Sequence, residues 1–341
     1  MLLFLLGSAL AGEVTVDMLD VGQGDSILLT TSNGQRILID AGTSSSGVAD
    51  TLMRMKVERL DLAVSTHPHA DHIGGMAEVL ERIPVEAYLD SGSTHTTRTY
   101  RKLQDTLRER GVPRKNAKAG QVFDLGDGAT MRVIWPGTMR LEGTRSDLNS
   151  NSVVLRVENG EDCMLFTGDA EEDTEHALVR HNFQPCGLLK VAHHGSRHST
   201  SQSFLNAVSP EIALISAGEG NRYRHPGDET IRKLHRMDVQ TFRTDLTGHV
   251  TIVSTGRGFR VEDGLPDSAP LRIEATPEPV EVGPVTEENR VEPIIVDPLP
   301  PEVTPAIEEN PSRNVDKPVD APQTEEVSSC KSFLQRLAFW R

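Results

Sequence analysis

The sequence predicts an α/β sandwich in which two mixed β-sheets face each other and helices cover the outer faces. Two observations predict this fold class: the chain begins with a hairpin-rich β region, and strands then alternate with helices twice over. Helices that alternate with strands pack on the faces of a sheet, which produces a layered architecture. The 341 residues are enough to bury a sizeable core without disulfide or metal cross-links.

The first half of the pattern begins with hairpins. Alternating apolar residues at Val14, Val16 and Met18 predict a strand, and Asn33-Gly34 predicts a turn before a strand that reaches Asp40. The elements that follow are a helix over 47–59, a strand over 60–66, a helix over 75–82, a short strand at 88–89 and a helix over 100–110. Glycine residue 111 ends the last of these helices.

The second half repeats the alternation. Strands are predicted over 130–135, 152–157 and 163–167, with a turn at Asn159-Gly160, followed by a helix over 170–181. The pattern continues with a strand over 188–192, a helix over 202–208, a strand over 212–216 and a helix over 230–237. Strands over 241–243 and 250–253 close the sheet.

Charge and proline are distributed unevenly along the chain. The net charge is −15, all 12 histidines precede residue 264, and 13 of the 20 prolines follow residue 263 together with 15 acids and 7 bases. A segment of that composition buries too little apolar surface to offset its chain entropy. We therefore predict a folded domain over 12–263 and a disordered linker over 264–328. The acid excess argues against a general nucleic-acid coat protein, but not against an enzyme with a local cleft.

The two ends of the chain indicate a secretory signal that is cleaved and a segment that docks to a partner or a membrane surface. Residues 1–11 form a short apolar run that ends in Ala9-Leu10-Ala11, as in a secretory signal with Gly12 as the first mature residue. We expect a bacterial protein exported to the periplasm or the outside; the run lacks a basic start, so a buried first strand in a cytoplasmic protein is the alternative. Residues 329–341 predict a short amphipathic helix for a protein partner or a membrane surface, or else a frayed tail. No apolar run is long enough for an integral membrane span.

The three cysteines indicate neither a disulfide scaffold nor a thiolate zinc site. Cys163, Cys186 and Cys330 are far apart in the sequence and form no Cys-x-x-Cys pair.

A cluster of metal-binding side chains follows the predicted strand over 60–66. It reads His67-Pro68-His69-Ala70-Asp71-His72. A loop at a strand end can bring such side chains together, whereas a regular strand or helix would scatter them. Imidazole and carboxylate ligands suit Zn²⁺ and also Mn²⁺ or Fe. The spacing therefore predicts a metal site.

This motif resembles the metallo-β-lactamase superfamily, which implies an αββα four-layer sandwich. The resemblance implies that His67 and His69 bind one divalent ion and that Asp71 and His72 bind a second. Thr167-Gly168-Asp169 is similar to the family segment that carries the bridging aspartate. His193-His194-Gly195-Ser196 matches the segment of the last histidine, and the sequence leaves open whether His193 or His194 is the ligand. Asp40 matches an early aspartate that supports the site without binding metal.

The sequence departs from the family pattern at one metal ligand. Many members have a further histidine between the first cluster and the bridging aspartate, and residues 147–152 contain none. His95, His176 and His181 do not match the pattern either. One of the two ions then lacks a nitrogen ligand, which shifts the preference from Zn²⁺ toward Mn²⁺.

Further motifs are similar to the hydrolase domain of ComEC-type competence proteins. They are, in chain order, Asp20-Val-Gly-Gln-Gly-Asp25-Ser26, residues 149–152, the His-His-Gly-Ser segment, Asn221-Arg-Tyr-Arg-His225-Pro226 and Arg243-Thr244-Asp245. The resemblance spans about residues 13–258 and implies a nuclease that degrades DNA. Those proteins carry a multi-span channel that is missing here, so we expect a stand-alone relative of unknown oligomeric state.

These motifs suggest additional site residues. The glycines between Asp20 and Asp25 would allow a sharp turn that brings both acids to the metals as catalytic residues. His225 is a candidate donor to a substrate oxygen. Asn151, Ser196 and Arg197 are candidates for substrate binding. A plain turn, a buried structural histidine and solvated charges are the corresponding alternatives.

The predicted chemistry is hydrolysis. Two divalent ions lower the pKa of a water and generate the attacking hydroxide, and the sequence contains no Gly-x-Ser-x-Gly motif and no P-loop. We expect a metal-dependent phosphodiesterase acting on DNA. A hydrolase of small phosphodiesters or phosphocholine esters, a lactonase or β-lactamase, and a non-catalytic binding module with a partner-recruiting tail remain as alternatives.

Overall fold

Two β-sheets form the centre of the protein in the computed structural model, which describes residues 11–180 and 183–264. The first sheet has eight strands: β1 (Val14–Met18), β2 (Ile27–Thr31), β3 (Arg36–Ile39), β4 (Leu62–Ser65), β5 (Tyr88–Asp90), β6 (Arg114–Asn116), β14 (Val250–Ser254) and β15 (Phe259–Asp263). Their order is β15-β14-β1-β2-β3-β4-β5-β6. Strands β3 to β6 are parallel to one another, and the remaining pairs are antiparallel.

The second sheet has seven strands. They are β7 (Val122–Gly126), β8 (Ala129–Trp135), β9 (Val154–Asn159), β10 (Asp162–Phe166), β11 (Leu188–Lys190), β12 (Ile212–Ile215) and β13 (Gln240–Arg243), in the order β13-β12-β11-β10-β9-β8-β7. Strands β10 to β13 are parallel, so their carboxyl ends lie at one edge of the sheet.

Helices cover the outer faces of both sheets. They are α1 (Val48–Arg54), α2 (Ala70–Ile73), α3 (Met76–Arg82), α4 (Arg98–Arg110), α5 (Asp147–Ser150), α6 (Glu172–Val179), α7 (Gln202–Val208), α8 (Asp228–Arg236) and α9 (Thr244–Thr247). Helix α4 shows how the sequence sets their ends. The Thr97 hydroxyl accepts a hydrogen bond from the Tyr100 amide, and Gly111 ends the helix in the left-handed conformation.

Three apolar clusters separate four layers. The central cluster packs the inner faces of the two sheets together and includes Val16, Leu29, Met131 and Phe242. A second cluster joins α1, α3 and α4 to the first sheet, and a third joins α6, α7 and α8 to the second sheet. The predicted αββα sandwich is therefore confirmed.

Some details differ from the sequence prediction. Strands β6, β7 and β15 were not predicted. The residues of β6 and most residues of β15 are exposed and give no apolar pattern, whereas the short alternating pattern of β7 was missed. Helix α1 ends at Arg54 rather than residue 59, and α6 spans Glu172–Val179 rather than 170–181. The predicted linker and the amphipathic segment lie outside the described residues, as does the signal peptide apart from Ala11. None of the helices over 11–180 and 183–264 has the length and hydrophobicity required to cross a bilayer.

The sequence indicated no disulfide scaffold, and it did not reveal that one pair of cysteines is cross-linked. Cys163 and Cys186 form a disulfide with Cα atoms 4.6 Å apart. Cys163 lies in β10, and Cys186 lies just before β11, which is the parallel neighbour of β10. Separation of 23 residues along the sequence thus does not mean separation in space.

Candidate metal centre

The carboxyl ends of parallel strands from both sheets meet at one place in the fold. His67 follows β4, Asp169 follows β10, and His193 and His194 follow β11. Ligand sites in α/β folds form at such edges because the loops there are free to vary. His67, Asp169 and His194 are buried there. The edge therefore brings together side chains that are about 100 residues apart in the chain.

Asp169 lies at the centre of this cluster, and its two carboxylate oxygens face different histidines. Its Oδ1 is 3.2 Å from Nε2 of His72 and 3.6 Å from Nε2 of His194. Its Oδ2 is 3.8 Å from Nε2 of His67 and 3.6 Å from Nε2 of His193. One carboxylate is thus placed between two pairs of imidazole nitrogens.

The remaining residues of the first motif extend the cluster. Nδ1 of His69 lies 2.8 Å from Nε2 of His67, so these two nitrogens face each other within hydrogen-bond distance. Oδ2 of Asp71 lies 3.7 Å from Nε2 of His194. The structure brings together all four residues of the motif.

Hydrogen bonds on the outer side fix the orientation of three buried imidazoles. Nδ1 of His72 is 2.8 Å from Asp40 Oδ2, and Nδ1 of His194 is 2.9 Å from the Ser216 carbonyl. Nδ1 of His67 is 3.1 Å from the Thr66 hydroxyl. In metal sites, such partners set the tautomer and leave Nε2 free for the ion. Asp40 also accepts from the Thr66 amide and hydroxyl, which is the supporting position that the sequence indicated.

Several atoms in the cluster have no hydrogen-bond partner among the described residues. They are Nε2 of His72, Nε2 of His194 and Oδ1 of Asp169, all buried. A buried polar atom without a partner costs about 1–3 kcal/mol. Within the described residues, four groups of three His or Asp side chains have ligand atoms within 4.8 Å of one another. Divalent cations would satisfy these atoms, so the residues fit a metal centre.

The charges of the cluster shift its pKa values in opposite directions. Burial lowers the pKa of the His194 imidazole, but Asp169 and Asp25 outweigh burial and raise it to about 9. Burial raises the pKa of Asp169, but the charges of His72, His194 and His193 hold it well below its usual range. Burial and the His72 charge hold the pKa of His67 well below its usual value. Without metal, a charged His194 imidazolium therefore lies beside the Asp169 carboxylate, whereas His67 is a neutral imidazole.

Asp25 and Lys190 form a buried ion pair behind the histidines. Oδ1 of Asp25 is 3.3 Å from Nδ1 of His194, and Lys190 Nζ donates to the Gly168 carbonyl over 3.0 Å. Burial raises the pKa of Asp25, but the charges of Lys190 and His194 lower it by more than burial raises it, so Asp25 stays a carboxylate. Asp25 thus contacts the outer side of the histidines rather than lying between their Nε2 atoms.

A loop with an exposed aromatic residue lies beside the cluster. The His225 ring centroid is 5.6 Å from that of His193 and 6.3 Å from that of His194. Tyr223, which is 51% exposed, lies 5.8 Å from His225 with its ring plane tilted by 26°. Cζ of the exposed Arg222 lies 4.8 Å from the Tyr223 ring centroid. The Asn221 side chain holds this loop through the His225 amide and the Gly218 carbonyl.

A comparison with protein families identifies the superfamily of this chain. The family model described as "Metallo-beta-lactamase superfamily" matches residues 19–219, which is more than half of the chain. The chain belongs to the metallo-beta-lactamase superfamily. Its fold supports a metal-dependent hydrolase.

Two relatives are competence proteins. ComE operon protein 3 of Bacillus subtilis (strain 168) is 30% identical over 272 residues, which cover 73% of this chain and 34% of that protein. Competence protein ComA of Neisseria gonorrhoeae is 32% identical over 255 residues, which cover 72% of this chain and 33% of that protein. The chain spans about a third of the length of these relatives. The resemblance to competence proteins that the motifs indicated is confirmed.

A solved structure matches more distantly. The metallo-beta-lactamase fold protein YhfI from Bacillus subtilis has a TM-score of 0.45 and 11% identity, covering 67% of this chain and 95% of that chain.

Four residues predicted for this metallo-beta-lactamase site lie outside the metal cluster. Asp20 is exposed, and its Oδ1 accepts a hydrogen bond from the Gly22 amide in its own turn. The buried Asn151 amide binds the Leu141 backbone and the Asp147 carbonyl. The buried Ser196 hydroxyl accepts from the His198 amide. Arg197 is exposed, and its Nε contacts His198. The first three thus have local structural contacts that the sequence pattern did not reveal.

Three residues that sequence analysis missed support the cluster. Glu171 is buried beside His193, Arg145 pairs with Glu171, and Lys190 pairs with Asp25. The only sequence signal was for Lys190, a charged residue inside an apolar strand. His95 was judged to fall outside the family pattern, yet its ring centroid lies 6.0 Å from that of His69.

Proposed function

We propose that this chain is a two-metal phosphodiesterase that degrades DNA. The observation that carries the proposal is the position of Asp169, whose two oxygens each face a separate pair of imidazole nitrogens. A carboxylate placed in this way suits a bridge between two cations. Removal of either oxygen or any facing histidine would then weaken the centre.

We define two ion positions by their proposed ligands. The first ion position comprises Nε2 of His67, Nδ1 of His69 and Oδ2 of Asp169. The second ion position comprises Asp71, His72, His194 and Oδ1 of Asp169. Zn²⁺ and Mn²⁺ both suit this mixture of imidazole and carboxylate. When bound there, two such ions would supply an activated water and stabilise charge on a phosphodiester.

The protein's own residues supply orientation and a hydrogen-bond donor. Asp40 holds His72, and the Asp25–Lys190 pair lies against His194 and the loop that carries Asp169. Burial and the charges of His193 and His194 lower the pKa of His225 to about 4, so His225 is neutral at pH 7. Nδ1 of His225 has no hydrogen-bond partner among the described residues. We therefore assign His225 as a neutral donor to a substrate oxygen, not as an imidazolium acid.

Two observations favour DNA over a small ester. The loop beside the cluster presents Arg222 and Tyr223, which suit a phosphate and an unpaired base respectively. Arg222 is an exposed cation in a chain whose net charge is −15. The similarity to ComE operon protein 3 and Competence protein ComA supports the same substrate class, because the resemblance of the motifs to ComEC-type proteins implies a nuclease that degrades DNA. A local basic and aromatic surface beside the metals would allow cleavage in spite of the overall acidity.

A panel of substrates tests this proposal. The purified protein is freed of metal with a chelator, reloaded with Mn²⁺ or Zn²⁺, and assayed on linear single- and double-stranded DNA. Bis-p-nitrophenyl phosphate, a phosphocholine ester and a lactone serve as comparison substrates. We expect metal-dependent cleavage of DNA and of bis-p-nitrophenyl phosphate. Turnover of the phosphocholine ester or the lactone alone would contradict the nuclease assignment.

A further inference from the structure

The segment where many family members have a metal-binding histidine contains an asparagine that contacts another histidine. Residues 147–152 contain no histidine, and Asn149 lies there in the short helix α5. Nδ2 of Asn149 is 3.3 Å from Glu171 Oε1 and 3.5 Å from His193 Nδ1. The segment thus points toward His193 rather than supplying a ligand itself.

His193 has the same arrangement of inner and outer contacts as the buried histidines of the centre. Its Nδ1 lies 3.3 Å from Glu171 Oε1, and its Nε2 lies 3.6 Å from Asp169 Oδ2. His67, the first member of the first ion position, places its Nε2 3.8 Å from the same oxygen. An acceptor at Nδ1 leaves the Nε2 lone pair free to bind an ion.

The backbone directs two consecutive histidines to different oxygens of one carboxylate. His193 and His194 have φ values of 50° and 55°, which are rare for residues other than glycine. Their ring centroids are 6.0 Å apart, with planes at 72°. The His193 amide donates to the Gly168 carbonyl over 3.1 Å, which ties this turn to the loop of Asp169. Strained conformations of this kind persist where the surrounding structure requires them.

Glu171 is itself held in place. Oε1 and Oε2 of Glu171 accept from Nη2 and Nε of Arg145 over 2.7 Å and 3.3 Å. The Glu171 side chain is 3% exposed. A buried carboxylate that is paired on one side with a guanidinium and on the other with an imidazole is a rigid acceptor for His193.

We propose that Nε2 of His193 is the nitrogen ligand that the first ion position otherwise lacks, with Glu171 and Arg145 as positioning residues. The two consecutive histidines then serve one ion each: His193 the first and His194 the second. This inference rests on the proposed two-metal centre but not on the identity of the substrate.

Metal titration of the full-length protein tests the inference without any activity assay. Metal-free wild type, His193→Ala and Glu171→Gln are titrated with Mn²⁺ by calorimetry, and bound metal is counted by elemental analysis. We expect two ions per wild-type chain. In His193→Ala one of the two binding events is lost or weakened by at least roughly 100-fold, and in Glu171→Gln it is weakened by roughly 10- to 100-fold. Electron paramagnetic resonance should change from a coupled two-ion spectrum to that of an isolated ion in His193→Ala.

Matched variants separate ligation from other roles. His198→Ala removes an imidazole from the same loop and should leave both binding events unchanged. His194→Ala should remove the other ion, so the two single variants differ in which ion remains. Circular dichroism of each metal-free variant checks folding, and Glu171→Gln, which preserves side-chain size, covers the case in which His193→Ala does not fold.

Two results would overturn the inference, and a third would overturn only the substrate assignment. Two ions bound with wild-type affinity in both His193→Ala and Glu171→Gln would exclude His193 as a ligand, whatever happens to activity. A wild-type protein that binds no ion would overturn this inference together with the two-metal proposal. Two ions bound as described, with no phosphodiester hydrolysed, would overturn only the substrate assignment and support the role of His193.

Discussion

At the scale of the residue, the role of each ionisable group in the metal centre depends on which of its atoms faces Asp169. His72, His193 and His194 all face a carbonyl or carboxylate with Nδ1 and Asp169 with Nε2. Asp25 lies on the Nδ1 side, so it supports the histidines instead of joining the ligands. Residues of the same type can therefore be proposed ligands or supporting residues, according to the orientation of their side chains.

Metal binding should release protons and become tighter as pH rises. The His194 imidazole has a pKa of about 9 without metal, because Asp169 and Asp25 outweigh the effect of burial. It is therefore charged at pH 7 and must lose its proton to bind an ion. Calorimetric titration with Mn²⁺ at pH 7 in buffers of different ionisation enthalpy should show net proton release. Heats that do not depend on the buffer would contradict this account.

The metal-free protein should also lose stability with rising pH. The pKa of His194 is raised in the folded state above the ordinary value of 6.5. Protonation of His194 therefore contributes stability that is fully present below about pH 6.5. This contribution disappears as the pH rises through about 9. Thermal unfolding of the chelated protein should therefore shift to lower temperature between pH 6.5 and 9. The His194→Gln variant should lack this part of the shift.

His225 should act on turnover more than on substrate binding. Removal of one positioned hydrogen-bond donor to a developing oxyanion costs roughly 10²- to 10³-fold in kcat. His225→Ala should show this loss in steady-state kinetics on bis-p-nitrophenyl phosphate, with a smaller change in KM and unchanged metal content. Because the pKa of His225 is about 4, its ionisation should not shape the rate profile above pH 5. A rate that falls between pH 6 and 8 only when His225 is present would contradict the neutral-donor role.

At the scale of the element, short loops after parallel strands determine the centre. The segment after β4, a short loop that continues into α2, contains the whole His67–His72 motif, so the motif was recognisable in the sequence. The loop after β10 contains Asp169, and the loop after β11 contains His193 and His194. Their contacts depend on β10 and β11 being neighbours, which the sequence does not reveal. This is why His193 and His194 could not be distinguished from the sequence.

The disulfide stabilises the region that holds these two loops together. It closes a loop of 23 residues between β10 and the segment before β11. Loss of a cross-link of this size should lower the free energy of unfolding by about 3 kcal/mol. Urea unfolding with and without a phosphine reductant measures the difference. The double variant Cys163→Ser and Cys186→Ser should be equally unstable in both conditions, and an unchanged wild-type midpoint in reductant would contradict the prediction.

At the scale of the whole molecule, the layered fold was predictable, whereas the supporting residues were not. Apolar alternation predicted most strands of both sheets, and a local motif predicted the first histidines. Glu171 and Arg145 could not be predicted, since Glu171 lies in an acidic run that resembles a helix start and its partner Arg145 is 26 residues away. Long-range contacts of this kind depend on the tertiary fold.

Export of the protein should leave Gly12 as the first residue. The Gly12 amide donates to the Asp127 carbonyl, and the Gly12 carbonyl accepts from Asn159 Nδ2. Gly12 is therefore already part of the folded domain. A disulfide persists in an oxidising compartment, which agrees with export. Intact mass of the protein recovered from its native host measures the mature start. A cytoplasmic chain that begins at Met1 would contradict this prediction.

The central claim is that Asp169 bridges two ions in a hydrolytic centre, and Asp169→Asn tests it most directly. The amide keeps the size of the side chain but removes the negative charge between four imidazoles. Metal content and cleavage of linear DNA are measured on the same Mn²⁺-loaded samples of wild type and variant. We predict two ions and metal-dependent cleavage for wild type, and fewer than two ions with activity lower by several orders of magnitude for Asp169→Asn. An Asp169→Asn protein that retains two ions and cleaves DNA at the wild-type rate would contradict the claim.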